Sequence, residues 1–304
     1  MSAAFALSGF LNLNKPTGLT SRDLVNRVQK FVRPLRVGHA GTLDPLATGV
    51  LLVCIGDATR LVSRLQELPK TYVAEFILGQ SSDTDDSTGS IRLHPTPAVV
   101  PDTEGVLKAL EQFTGVISQT PPAFSAVHVS GRRAYDLARR GEVPDLQPRE
   151  VTVHRIELLR YEWPVLSLEI ECSSGTYIRS IARDLGELLG CGGLMSSLER
   201  TAVGAYRVCD SLDPQQLSPT TIEHALISPL EIVAGMPQYA CTADDIHSIR
   251  CGRKLVIEER RLTTSGVALA GSAVALISMD PPLLCAIAEI TEDQLLQPRL
   301  VFLH

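Results

Sequence analysis

The stretch LSLEIEC, residues 166–172, constrains the fold more than any other. Leu166, Leu168, Ile170 and Cys172 alternate with Ser167, Glu169 and Glu171, the period of a strand with one buried face. A turn, SSG, follows it and opens a helix in which Ile178, Ile181, Leu185 and Leu188 form the buried stripe. Arg179 then falls off that stripe, in the first turn. GVLLVCIG, residues 49–56, and TYVAEFILG, from Thr71, read as two further strands, apolar and rich in β-branched residues. Upstream, Thr20 or Ser21 caps a helix in which Leu24, Val25, Val28, Phe31 and Val32 recur at helical spacing, with Arg27 and Lys30 opposite them. The acidic run GQSSDTDDSTGS, from Gly79, reads as a loop. Runs of strands with separate helices, and no regular βαβα alternation or internal repeat, predict an α+β fold around a mixed, mostly antiparallel sheet.

At 304 residues the chain has room for a main domain and a smaller one beside it. The pattern predicts a main domain over 1–235, whose last part, 211–235, is a Pro- and Ser-containing, weakly helical connector. Over 236–304 the apolar stretches KLVI, GVALAG, AVALISM and LLCAIAEI, separated by turn residues, predict a small β-domain, barrel-like. No apolar run is long enough to span a bilayer, and MSAAFALSGFLNLNKP lacks the basic start of a secretory signal. A cytoplasmic chain is expected. Seven cysteines, an odd number without CxxC spacing, are expected to be reduced packing residues and not a disulfide or zinc framework.

The net charge of −6 argues against a nucleic-acid partner until its distribution is read. Residues 1–210 hold 22 Lys and Arg against 23 Asp and Glu, while residues 211–304 hold 6 against 11, so the tail carries −5 of the −6. Two segments of the first part are basic. SRDLVNRVQKFVRPLR sets Arg22, Arg27, Lys30, Arg33 and Arg36 against Asp23, and GRRAYDLARRG sets Arg132, Arg133, Arg139 and Arg140 against Asp136. Either alone reads first as a solvated face.

Phosphate-binding, dinucleotide-binding, hydrolase-elbow and zinc-protease motifs are all missing, and the seven histidines do not cluster. What stands out is Asp44, a lone acid in HAGTLDPLATGVLL, together with His39, Tyr72, Tyr177 and Arg179. Singly, each has an ordinary structural explanation.

Together they do not. LNKPTGLTS, GHAGTLDPLATGVL, KTYVAEFILGQSSDTDD, PPAFSAVHVSGRRAYDLARRG, CSSGTYIRSIARDLG and LERTAVG follow one another in the order and spacing of the TruB family of bacterial tRNA pseudouridine synthases, which this chain resembles from about Gly9 to Gly204 and more weakly beyond. The resemblance implies a pseudouridine synthase fold ending in a PUA-like barrel. It implies an isomerase, free of cofactor and metal, that flips uridine-55 out of the tRNA T loop and reattaches its base through C5. Asp44 falls on the family nucleophile, Arg179 on the arginine that pairs with it, and Tyr72 on the ring that stacks on the target base and relays the C5 proton. Among residues matching substrate contacts, Tyr177 and Leu198 would line the pocket and His39 would enter the T loop. Lys15, Arg60, Arg132 and Arg139 would meet the RNA. Phe124 and His128 stand where the family commonly has Tyr and Lys, and Arg60 where it commonly has Lys; His128 thus exchanges lysine's fixed charge for an imidazole.

Chemical reasoning supports the assignment of Asp44, because a carboxylate assists glycosidic cleavage as nucleophile or by stabilising an oxocarbenium-like centre, and only when ionised. Flipping a base costs a few kcal/mol, which stacking worth roughly 1–3 kcal/mol on an aromatic offsets. With phosphate neutralisation the main source of RNA affinity, the two basic segments acquire a purpose. The expected partner is the tRNA T arm, bound by a monomer that needs no other protein. A tRNA-binding or tRNA-folding protein without catalysis is the alternative reading.

Overall fold

The alternation in the sequence reappears as one sheet running through most of the chain. In the computed structural model, which describes residues 7–125, 127–129, 131–263 and 269–302, the elements are β1 (Gly9–Lys15), α1 (Ser21–Val32), β2 (Val37–Ala40), β3 (Thr48–Ile55), α2 (Val62–Glu67) and β4 (Lys70–Leu78). There follow a hairpin of β5 (Gln80–Ser82) and β6 (Ile91–Leu93), then α3 (Thr103–Glu111), β7 (Gly115–Gln119) and a second hairpin of β8 (His128–Val129) and β9 (Arg132–Arg133). Next come α4 (Ala134–Ala138), β10 (Arg149–Glu162), β11 (Val165–Cys172), α5 (Ile178–Leu188), β12 (Gly193–Val203) and β13 (Tyr206–Arg207). Among the described residues nine strands form the main sheet, in the order β1-β3-β12-β4-β11-β10-β7, with β2 added on β3 and β13 on β12. Every pairing is antiparallel except β3 with β12, as the sequence predicts.

On β4, Tyr72, Ala74, Phe76 and Leu78 point to one buried face, and on β11 Leu166, Leu168, Ile170 and Cys172 do the same. Ile178, Ile181 and Leu185 of α5 pack on that face, each stabilising the fold by roughly 1.5–3 kcal/mol through removal from water. Two positions depart from the predicted stripes. Leu188 is 46% exposed on the outside of α5, and Phe31 is 41% exposed on α1, whose capped start is Thr20. The larger correction is Arg179, which is 6% exposed and turned inward.

The β3–β12 pair depends on Gly49. Its φ is +97°, and a Cβ there would lie 2.2 Å from the carbonyl oxygen of Arg200. Gly49→Ala combines backbone strain with a clash against a rigid neighbour, and is expected to cost more than about 2 kcal/mol in urea denaturation.

After β13, α6 (Pro219–Ala225) and α7 (Pro229–Ile232) lie in the segment read as a connector. Leu217 and Ile222 pack with β1 and α1, so this stretch is attached to the main sheet. A second sheet follows, built from β14 (Gln238–Cys241), β15 (Leu255–Val256), β16 (Ala273–Met279), β17 (Pro282–Ile290) and β18 (Leu295–Val301), in the order β14-β16-β17-β18-β15. It closes over its own core of Tyr239, Ile249, Val274, Leu276 and Leu296, the form expected of a PUA-like domain. Its one α-helix among the described residues, α8 (Ala243–Arg250), begins in a capping box of Thr242 and Asp245 that the strand pattern hides. Of the predicted stretch GVALAG, residues 266–268 lie outside the described residues. Leu61 and Val233 pack against Ala275, Ile277 and Leu284, joining the small sheet to the large one. Cys54, Cys172, Cys191, Cys241 and Cys285 are buried packing residues as expected, whereas Cys209 and Cys251 are exposed. Among the described residues no helix is long and apolar enough to cross a membrane.

Candidate active site

Asp44 lies in the loop between β2 and β3, and that loop is fixed from below. Lys15, fully buried at the end of β1, donates its ammonium protons to the carbonyl oxygens of Ala47 (2.6 Å), Pro16 (3.0 Å) and Pro45 (3.3 Å). Ser21 accepts from the Leu43 amide at 2.9 Å, and the Gly18 amide donates to Pro45 at 2.8 Å. Burial pushes the Lys15 ammonium down to about 8, with Asp44 opposing the shift.

The carboxylate faces a cleft of about 290 Å³, near the small end of the range of ligand pockets, roughly 300–1,000 Å³. Tyr72, Tyr177, Arg179 and Leu198 line the same cleft. Arg179, at the start of α5, places Nε 3.0 Å from Oδ2 of Asp44. Both terminal nitrogens are engaged as well: Nη1 donates to the Thr84 carbonyl (2.9 Å) and lies 3.6 Å from Oδ2 of Asp86, while Nη2 donates to the Phe124 carbonyl (3.1 Å). Burial and these four contacts hold the arginine against Asp44. Asp44 keeps 37% of its side-chain surface open to the cleft, yet protein rings it closely enough that burial is the largest influence on it. Burial pushes its carboxyl above the usual carboxylate range; Arg179 opposes that rise, Asp86 adds to it and Lys15 opposes it.

Asp86, buried against Arg179, is a residue of the site that sequence reasoning missed. It comes from the run read as a loop, which is a loop over residues 83–90, between the short strands β5 and β6, and folds inward. Asp86 is 4% exposed, and its Oδ1 accepts from Thr84 Oγ1 (2.8 Å), the Thr88 amide (2.9 Å) and Thr88 Oγ1 (2.6 Å). Its neighbour Asp85 has a φ of +58° and pairs with Arg183 at 2.8 Å. The only signal in the sequence is threonine on either side of one acid in DTDDST. Arg200, likewise not singled out, is 1% exposed beside the cleft and donates to the carbonyls of Val50 (2.7 Å) and Gly41 (3.1 Å). It stands opposite Tyr72 in the β12–β4 register. Burial pushes the Tyr72 phenol above its ordinary range, Arg200 opposing, so the ring stays protonated at neutral pH.

Comparison with known proteins decides the family. Residues 29–178 match the N-terminal domain of TruB family pseudouridylate synthases, and residues 179–232 match the tRNA pseudouridylate synthase B C-terminal domain. A Microcystis aeruginosa protein named tRNA pseudouridine synthase B is 43% identical over 300 residues, covering 96% of this chain and 98% of its own. The chain belongs to the TruB family of pseudouridine synthases. A protein of the same name from Dehalococcoides mccartyi strain BAV1 is 43% identical over 256 residues, covering 83% of this chain and 85% of its own. In fold, the chain is similar to the structure described as a Cbf5-Nop10-Gar1 complex, with a TM-score of 0.73 and 24% identity over 98% of this chain and 86% of that one. As a TruB family member the chain is an isomerase that makes pseudouridine.

The remaining candidate residues divide. Tyr177 caps α5, its amide donating to Gln119 Oε1 at 2.7 Å, and Leu198 lies on β12 at the cleft wall. His39 on β2 bonds Thr42 at 3.1 Å and lies next to the cleft loop; burial, then Arg22 and Arg200, push its imidazole below the ordinary range. Arg132 on β9 and Arg139 after α4 are exposed, and Arg139 stacks over Tyr135 at 5.4 Å. One expectation is corrected. Lys15 has no surface with which to meet RNA and instead fixes the loop of Asp44. Arg60, exposed after β3, donates to the Val301 carbonyl and stacks over Phe302 at 5.5 Å, a link between the large sheet and the small one.

Proposed function

We propose that this isomerase acts on uridine-55 in the T loop of tRNA, as a cytoplasmic monomer that needs no cofactor and no protein partner. The observation that carries this reading is the Asp44–Arg179 pair, 3.0 Å apart in a cleft shared with Tyr72. The name borne by the relatives supports tRNA as the substrate. In the proposed reaction the C1′–N1 bond breaks and the ionised Asp44 supports C1′, as nucleophile or by stabilising an oxocarbenium-like centre. The base turns, C1′–C5 forms, the C5 proton leaves and N1 gains a proton. Tyr72 is protonated, so it takes up the C5 proton only as it passes its own on; stacking on the base is its first role. Arg179 keeps Asp44 ionised and oriented, while Tyr177 and Leu198 bound the space for the base.

Outside the cleft, His39 shares a shallow recess with Arg22 and Arg36 that no carboxylate lines. Arg132, Arg133 and Arg140 line a second shallow recess with His128, Tyr135 and one carboxylate, Asp136. Both suit RNA phosphates, one near the entering histidine and one on the β8–β9 hairpin. In the double variant Arg22→Ala and Arg36→Ala, the slope of log affinity against log salt is expected to shrink by about 0.7–0.9 per lost contact, with kcat at saturating tRNA unchanged.

Tritium release from tRNA carrying 5-tritiated uridine tests the whole reading. Release from the natural tRNA, lost when position 55 is changed to cytidine, is the expected result. Tight tRNA binding without release would overturn it in favour of a tRNA-binding or tRNA-folding protein.

A further inference from the structure

Arg200 is buried in the wall of the cleft, and among the described residues no carboxylate lies within ion-pair distance of it. Cations stand near it instead. Burial, and after it the charge of Arg200, push the buried Lys70 ammonium down to about 8, and Arg200 adds to the lowering that burial causes at Lys15. A buried charge without a counter-charge is costly to the fold, so the reason for this one lies in what its guanidinium touches.

Three groups share that guanidinium. Nε donates to the Val50 carbonyl on β3 at 2.7 Å, and Nη2 donates to the Gly41 carbonyl, in the loop that carries Asp44, at 3.1 Å. The third is the Tyr72 phenol, which Arg200 hydrogen bonds across the β12–β4 pair. An arginine only donates, so the phenol oxygen accepts there and the phenol's own hydrogen stays available to another group. Burial raises the phenol most; Arg200 opposes the rise by its charge and by that hydrogen bond, while Cys172 and Asp44 add to it.

Resting on the role given to Tyr72 above, we propose that Arg200 is a positioning residue for the proton-transfer step, holding the Tyr72 hydroxyl in register with the Asp44 loop and stabilising the negative charge that the phenol oxygen gains as its own proton departs. In that step the C5–H electron pair closes the C5=C6 bond, and the C6=N1 pair passes to N1, which takes a proton from water. The C5 proton goes to the phenol oxygen while the phenol's own hydrogen leaves to water. A cation already fixed beside that oxygen needs no reorganisation as the charge develops. Arg200 acts through Tyr72, so it needs no surface open to the substrate.

The test is Arg200→Lys in the full chain, acting on tRNA with uridine or 5-deuterated uridine at position 55. One ammonium group cannot reach two carbonyls and the phenol in the geometry of a guanidinium. The expected kcat is about ten- to a hundredfold lower, with an unchanged KM for tRNA. The deuterium isotope effect on kcat is expected to exceed that of the wild type, because loss of the C5 proton has become slower. An unchanged kcat would overturn the proposal. So would a lower kcat with the wild-type isotope effect, which would mean less active protein or a displaced Asp44. Tyr72→Phe, without tRNA, tests the hydrogen bond by itself, including the case in which Arg200→Lys does not fold. There the buried guanidinium loses an acceptor, so the Tm is expected to fall; a Tm equal to or above that of the wild type would overturn the proposal. Wild-type enzyme that leaves uridine-55 unchanged counts against the proposed function. Slow turnover in Tyr72→Phe with wild-type kinetics in Arg200→Lys counts against this inference alone.

Discussion

Asp44→Asn releases tritium from 5-tritiated uridine tRNA at a rate lower by roughly 10⁴-fold or more, while its affinity for tRNA stays close to that of the wild type. The amide keeps the size of the carboxylate but can neither attack C1′ nor stabilise positive charge there. Folding is expected to survive. Arg179 retains Asp86 and the carbonyls of Thr84 and Phe124 as partners, so no buried charge is left alone. The sign of the linkage points the same way. With the folded pKa of Asp44 raised by burial, its stabilising contribution is present at low pH and is lost as pH rises through that value. Near neutrality the ionised Asp44 is a cost to the fold, and the asparagine variant is at least as stable as the wild type in urea. The same shift sets the pH dependence. Catalysis needs the ionised form, so wild-type kcat/KM rises with pH through a limb lying above the ordinary aspartate value of about 3.9. A limb at or below that value, or an asparagine variant that turns over, would remove Asp44 from the chemistry.

The sheet was legible because its physics is local. On β4 and β11 one face meets α5 and the other does not, so burial follows the two-residue period of the strand. That Asp44, Tyr72 and Arg179 share one cleft was legible only when they were taken together, and the burial of Arg179 was not. A helical stripe is read by hydropathy and assigns a polar side chain to water. Arg179 is buried because carboxylates from two distant loops, at 44 and 86, converge on it, and no periodicity carries that information. Asp86 was hidden for a related reason. Asp83, Asp85 and Asp86 look alike in sequence, and which of them turns inward is decided by the β5–β6 hairpin and the positive φ at Asp85. Arg200 lies on a strand whose pairing with β4 shifts register twice, between Met195 and Ser197 and between Arg200 and Ala202. A bulge resets the alternation, so counting by twos along β12 does not reveal that this arginine is buried. Lys15 was misread because a lysine's usual place is at the surface, whereas its partners here are backbone carbonyls that sequence does not display.

Arg179→Leu is expected to unfold at clearly lower urea concentration than the wild type, with a loss of about 3–5 kcal/mol, the usual consequence of removing one partner from a buried ion pair. The two carboxylates contribute unequally. Asp44 opens to the cleft, where water screens part of its charge. Asp86 is shut in, at 6% side-chain exposure, and loses its only cation within ion-pair distance among the described residues. Its bonds from Thr84 and Thr88 remain and soften the loss, while the Thr84 and Phe124 carbonyls lose their donor. That places the result toward the lower end of the range. Activity changes in a way that destabilisation alone would not produce. Arg179 is the strongest influence opposing the raised carboxyl of Asp44, so without it the folded pKa climbs further and the acid limb of kcat/KM moves to higher pH. Activity remaining in the folded fraction should therefore recover in part as the pH is raised. Arg179→Lys keeps a positive charge but cannot reach Asp44 and both carbonyls with one ammonium group, and its limb is expected to fall between those of leucine and arginine. If leucine reduces kcat/KM by the same factor at every pH with the limb unmoved, Arg179 supports the fold and the position of Asp44 without setting its charge.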